Sequence, residues 1–109
     1  MENIKRLVKD NRQHILHMIP NNYLPILDIR LSGLTLNQFE EKDLEDVFTV
    51  FGDLHKIDVE HDHASVHFKD LAAAFFAQKT LHKKYISTLK TSISLTWRKT
   101  ETRALSVRV

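Results

Sequence analysis

The chain has no cysteine. That excludes a disulfide framework, a thiolate nucleophile and a cysteine-bound zinc, and it fits a reducing compartment, nuclear or cytoplasmic. Only two glycines and two prolines occur among 109 residues, so there are few free breaks and no glycine-rich phosphate loop. Long apolar runs are missing too. The longest, Leu71 to Ala77, falls far short of the roughly 20 residues that cross a bilayer as a helix. No secretory signal is legible. The basic, amphipathic start resembles a transit peptide only loosely, because Glu2 and Asp10 interrupt it and serine is absent from it. No membrane association is expected. No serine or cysteine nucleophile sits in a recognisable signature, so the expectation is a non-enzyme without a cofactor.

What is present fits one small domain. The hydrophobic fraction is 42% over 109 residues, enough for a single core. The net charge of +2 hides an uneven distribution. From Glu40 to Asp70 there are ten acids and three bases, and from Leu71 to Val109 eight bases and one acid. Such a dipolar chain offers a basic patch to polyanions and an acidic patch to basic partners. Most individual charges are expected to be solvated surface.

One hairpin organises the reading. Ile57 and Val59 alternate with Lys56, Asp58 and Glu60, and Ala64, Val66 and Phe68 alternate with His63, Ser65 and His67. Period-two alternation marks strands with one buried and one wet face. A turn at His61-Asp62 sets Val59 opposite Ala64, Asp58 opposite Ser65, Ile57 opposite Val66 and Lys56 opposite His67. Apolar then meets apolar, and a one-residue slip would turn a whole strand to the wrong face.

Around the hairpin the chain runs in order. Glu2 to Ile19 reads as an amphipathic helix ended by Pro20, with Ile4, Val8 and Ile15 on its stripe. Docking on its own domain is favoured over a dimer or partner contact. Ile26 to Leu31 is a strand, and Gly33 allows a turn. Asn37 to Phe51 is a helix with an acidic start, ended by Gly52. Asp70 is a plausible N-cap for a helix to about Lys84, with Leu71, Ala74, Phe75, Gln78 and Leu81 as its stripe. Phe76 lies off that stripe, and the N-terminal helix is expected to cover it. Tyr85 to Ser92 reads as a loop, and Ile93, Leu95 and Trp97 alternate in a last strand. After Thr100, Leu105, Val107 and Val109 alternate and stop in mid-period, as at the trimmed front of a longer protein. The divisions are an N-terminal helical extension over 1–22, a domain over 23–100 and a C-terminal extension with strand-like alternation over 101–109.

The order strand, helix, strand, strand, helix, strand is the split βαβ arrangement of a ferredoxin-like α+β fold. That predicts a four-stranded antiparallel sheet with two helices on one face, plus the N-terminal helix. Several strings resemble the RNA recognition motif family. Glu41 to Leu54 (EKDLEDVFTVFGDL) looks like its first helix and following glycine. His61 to Phe68 (HDHASVHF) falls on its RNP1 position and Ile29 to Leu34 (IRLSGL) on RNP2, both degenerate. Ile93 to Thr100 resembles its last strand.

In that family RNA bases stack on aromatic rings of the central strands. The corresponding places here are Arg30, His63 and Ser65. Each lost aromatic platform removes roughly 1–3 kcal/mol per base. Arg30 and His63 can stack in part, and Lys56, His67, Thr96, Arg98 and Lys99 complete the favourable set, against Asp28, Asp58 and Glu60. The resemblance thus implies a weak or non-standard single-stranded RNA-binding module within a larger ribonucleoprotein or RNA-processing protein. The alternative is a degenerate member acting in protein–protein interaction or dimerisation, through Ile4, Val8, Ile15, Phe76 and Tyr85. His61, His63 and His67 are read as surface histidines rather than a metal site, since no third ligand is evident. RNA affinity is expected to rise below about pH 6.5 through His63 and His67.

Overall fold

The computed structural model describes residues 3–31, 40–60, 63–89 and 91–100. The elements run α1 (Ile4–Asp10), α2 (Arg12–His17), β1 (Tyr23–Leu31), α3 (Glu41–Phe48), β2 (Leu54–Val59), β3 (Ala64–Phe68), α4 (Leu71–Leu81), β4 (Tyr85–Ile86) and β5 (Thr91–Lys99). The architecture is α+β, but the sheet has five strands in the order β2-β3-β1-β5-β4, and every pairing is antiparallel. The expectation of a four-stranded ferredoxin-like sheet with a single N-terminal helix is therefore corrected. The turn at His61-Asp62, Gly33, the first residues of the acidic helix, Lys90 and everything after Thr100 lie outside the described residues.

The fifth strand comes from the stretch read as a loop. Tyr85 pairs with Ser92 and Ile86 with Thr91. Two residues are too few to show a period, so the strand left no pattern to read. Just before it, Lys83 takes a positive φ of 62° and its N–H donates to the Ile93 carbonyl at 2.7 Å. Where β4 stops covering β5, α4 takes over. Gln78 Nε2 donates to the Leu95 carbonyl at 3.1 Å, and the Leu95 N–H donates to His82 Nδ1 at 3.0 Å. Two side chains thus satisfy backbone groups that a bare sheet edge would leave open.

The N-terminal stretch is two helices because Asn11 breaks the ladder. Its backbone sits off-helix at φ −108°, ψ 15°, where it caps both α1 and α2. Its side-chain amide donates to the Leu7 carbonyl at 2.8 Å. The same carbonyl also accepts the Asn11 backbone N–H at 3.2 Å, and the local side-chain bond favours a cap over a continuing helix. α3 begins at a capping box: the Glu40 N–H donates to Asp43 Oδ2 at 2.9 Å, and the Asp43 N–H is covered from Glu40. Asp70 does stand at the N-cap of α4, yet its carboxylate does not cap. It accepts instead from Arg12 Nε at 3.0 and 3.2 Å.

The core lies between one sheet face and the helices. Leu27 and Ile29 of β1, Ala64 and Val66 of β3, and Ile93 and Leu95 of β5 are buried there with Leu44 and Phe48 of α3. α4 presents Ala72, Ala73, Ala74 and Ala77 to that core; of the expected stripe Leu71, Ala74, Phe75, Gln78 and Leu81, Ala74 is fully buried and the rest are half-buried. Alanines let the helix axis approach closely. Phe75 and Phe76 then fall to its flanks, half-buried. The closest approach is at Gly52, where an added Cβ would sit 2.7 Å from the Ala73 Cβ. Val8, Ile15 and Ile19 join the same core. The N-terminal helices are therefore docked on their own domain, with Val8 and Ile15 buried in its core.

Gly52→Ala should destabilise the fold by about 1–3 kcal/mol, because both colliding carbons are rigidly attached to backbone. Ala73→Gly in the same chain should recover part of that loss. Urea midpoints of the two single variants and the double variant measure the coupling, and simple additivity would show that the contact is not what keeps position 52 glycine.

Candidate nucleic-acid interface

The hairpin register is the one that the alternation predicts: Val59 with Ala64, Asp58 with Ser65, Ile57 with Val66 and Lys56 with His67. The Glu60 N–H donates to the His63 carbonyl at 2.8 Å beyond the last pair. β3 then pairs with β1, placing Ser65 beside Asp28, and β1 with β5, placing Asp28 beside Thr96. Since Ala64, Val66, Leu27, Ile29 and Leu95 face the core, the row Asp58, Ser65, Asp28, Thr96 lies on the opposite face.

Acids organise that face. Arg98 grips Asp28 with two guanidinium nitrogens, Nη2 at 2.5 Å from Oδ1 and Nε at 3.3 Å from Oδ2. The hydrogen bond to Asp28 raises the Arg98 pKa still further, with burial opposing it. Asp58 plays the same part on the neighbouring strands. His67 Nε2 lies 3.3 Å and Lys56 Nζ 3.5 Å from its Oδ2. His67 Nε2 also lies 3.3 Å from Ser65 Oγ. Partial burial pushes the His67 pKa below its ordinary 6.5, helped by Lys56 and Arg98 and opposed by Asp58. His67 therefore takes up its proton at a lower pH than a free imidazole.

The eight residues expected to contact RNA separate into groups. Arg30, His63 and Thr96 are exposed and line, with Asp28 and Ile29, one cleft of about 320 Å³. Lys56, His67 and Arg98 are engaged with carboxylates as above. Ser65 is only 4% exposed. It is the short member of its row, sunk between Asp58 and Asp28, and is corrected from a contact residue to a buried spacer. Lys99 lies on the other face. Alternation along β5 puts it on the side of Trp97, and its ammonium sits 5.3 Å from the Tyr23 ring centroid. Trp97 itself is enclosed by Tyr23 and Phe75, at centroid distances of 4.9 and 5.8 Å, so no described aromatic ring of β1, β3 or β5 faces the cleft.

The structure adds Asp28, which the sequence reading treated only as a repulsive charge. The signal was available: Asp28 and Arg98 alternate with core residues on strands that must pair. Among the described residues, no three His, Asp or Glu side chains form a group that could hold a metal ion. No helix of the described residues is long and apolar enough to cross a membrane. Tyr85, expected to contact a partner, is 64% exposed on β4, while Ile4 packs against the core. No protein-family model matches the chain, and no curated protein matches it.

Because its folded-state pKa is depressed, His67 binds its proton more readily when unfolded. Its contribution is complete above pH 6.5 and is lost as the pH falls below it. Urea midpoints should therefore decline as the pH falls below about 6.5, and His67→Gln should flatten part of that decline. Asp53, which Lys5 holds below 3.8, titrates outside this window. An unchanged slope in the variant would show that His67 is not the group responsible.

Proposed function

We propose that this chain is a non-catalytic module that binds single-stranded RNA weakly, through one nucleotide-sized cleft on the helix-free face of its sheet. The observation that carries the reading is Arg30. It is exposed, stands at the mouth of the cleft, and has no acidic partner among the described residues, whereas Arg98, Lys56 and His67 are engaged by Asp28 and Asp58. A guanidinium left available offers a phosphate five donors and a base a flat cation to stack on. Thr96 supplies a hydroxyl and Asp28 an acceptor on the cleft wall, the functions that read a base edge. The resemblance of the Glu41–Leu54 and Ile93–Thr100 strings to the RNA recognition motif family supports the same reading.

Weakness follows from the composition of the face. With no aromatic platform in the cleft, each base forgoes roughly 1–3 kcal/mol of stacking. The carboxylates of Asp28 and Asp58 cancel most of the local positive potential. Affinity then rests on one or two phosphate contacts and on stacking by Arg30 and His63.

Titration with short uridine or adenosine oligomers, followed by amide NMR, should move Arg30, His63 and Thr96 first. The logarithm of affinity should fall against the logarithm of salt with a slope of only about −0.7 to −1.4, as one or two phosphates require on a single strand. Arg30→Ala should weaken binding about tenfold, a loss of about 1.4 kcal/mol. Shifts confined to the helices, or an unaffected Arg30→Ala variant, would overturn the reading.

A further inference from the structure

On the opposite side of the molecule, α1 and α2 lean on α4 without closing over it. Between them runs a groove of about 480 Å³. One wall is Leu7, Ile15 and Met18, and the other is Phe75 and Phe76. Leu7 and Met18 are among the most exposed large apolar residues described, at 37% and 53%. Phe76 was expected to be covered by the N-terminal helix. It is half-buried instead, its ring centroid 6.0 Å from that of Phe51, and it lines the groove.

We infer that this groove is a docking site for an amphipathic helix whose apolar ridge is flanked by acidic residues. The chemistry of the rim selects the partner. The polar lining residues are Asn11, His14 and Lys79, and no carboxylate lines the groove. Lys79 holds its ammonium over the Phe75 ring at 5.3 Å, at the edge where an incoming carboxylate would arrive. Leu7 to Met18 spans about 16 Å at helical rise, about three turns of a partner helix. A partner lying between two helix walls buries anchors spaced i, i+4 and i+7. Among the described residues, the acidic segment of a second copy does not fit this description. Its acidic helix α3 has Leu44 and Phe48 fully buried in its own core, so it has no apolar ridge to lend.

The surface lies on the helix side of the sheet, away from Arg30, so it stands or falls independently of RNA binding. The test uses the full chain and fluorescent model peptides with leucines at i, i+4 and i+7. One peptide carries flanking glutamates, one flanking lysines, and a third has serines in place of leucines. The glutamate peptide should bind, with amide shifts at Leu7, Met18, Phe75 and Phe76, and at least tenfold more tightly than the other two. Met18→Glu places a charge on an exposed wall and should weaken binding about tenfold, and Lys79→Glu should reverse the preference between the glutamate and lysine peptides. Thermal unfolding of both variants should stay near wild type, since both positions are exposed. No binding up to about 1 mM, weaker than the usual range of specific recognition, would overturn the proposal. So would equal binding of the lysine peptide, shifts elsewhere, or self-association of the chain that protects the groove.

Discussion

The alternation of β1 is the constraint on which the rest depends. β1 lies between β3 and β5, and its Leu27 and Ile29 have no exposed surface. Burying each is worth about 1.5–3 kcal/mol. A slip of one residue would exchange them for Asp28 and Arg30 and bring two charges into an apolar core, at a cost far above that gain. The register is therefore held by the core, and the composition of the other face follows from it. Asp28 must lie between Ser65 and Thr96. Arg98, two residues beyond Thr96 on β5, is then within reach of its carboxylate. The polar face is a consequence of apolar packing.

That face shows why the bulk charge pattern is a poor guide to a local site. The chain separates an acidic middle from a basic end, yet folding brings them together. Arg98 of the basic segment meets Asp28, and Lys56 and His67 meet Asp58. Partly exposed pairs of this kind contribute roughly 0–1 kcal/mol to stability. Their larger effect is to fix side-chain positions and to cancel potential. Arg30 stands out because Asp28, the carboxylate beside it on the same face of β1, is held by Arg98, which leaves Arg30 without an acidic partner among the described residues.

Much of the fold was legible because strands with one wet face write their register into the sequence. The Ile57–Val59 and Ala64–Phe68 runs specify the pairs from Lys56–His67 to Val59–Ala64, while the shift between Leu54 and Lys56 left no mark in them. The failures have separate physical causes. β4 is two residues long, below any period. Asn11 breaks a stripe that continues on both sides of it, because its backbone turns off-helix at φ −108°, ψ 15°. On α4 the eye follows Leu71, Phe75 and Leu81, but the sheet selects the alanines, since only small side chains allow the approach that Gly52 also permits. Ser65 was placed on the correct face but at the wrong depth, as alternation reports direction and not the height of neighbouring side chains. Lys99 shares the parity of Trp97, so the same rule that placed Thr96 and Arg98 outward places it on the helix side.

The alanine face of α4 connects the two surfaces. Close packing through Ala72, Ala73, Ala74 and Ala77 displaces Phe75 and Phe76 to the flanks, where the sheet cannot bury them. α1 and α2 bury part of that apolar area, and the remainder is the groove. Phe75 lies at the groove and also against Trp97 of β5, whose neighbours Thr96 and Arg98 belong to the opposite face. Gln78 and His82 hold the backbone of Leu95 in between. Any communication between a helix in the groove and a nucleotide in the cleft has this short path available, through a ring contact and a pair of hydrogen bonds to one strand. Since β1 holds β5 in register along Leu27–Leu31, a rigid strand transmits little. The two surfaces are then expected to act additively, as separate sites on one scaffold do when no bistable element lies between them.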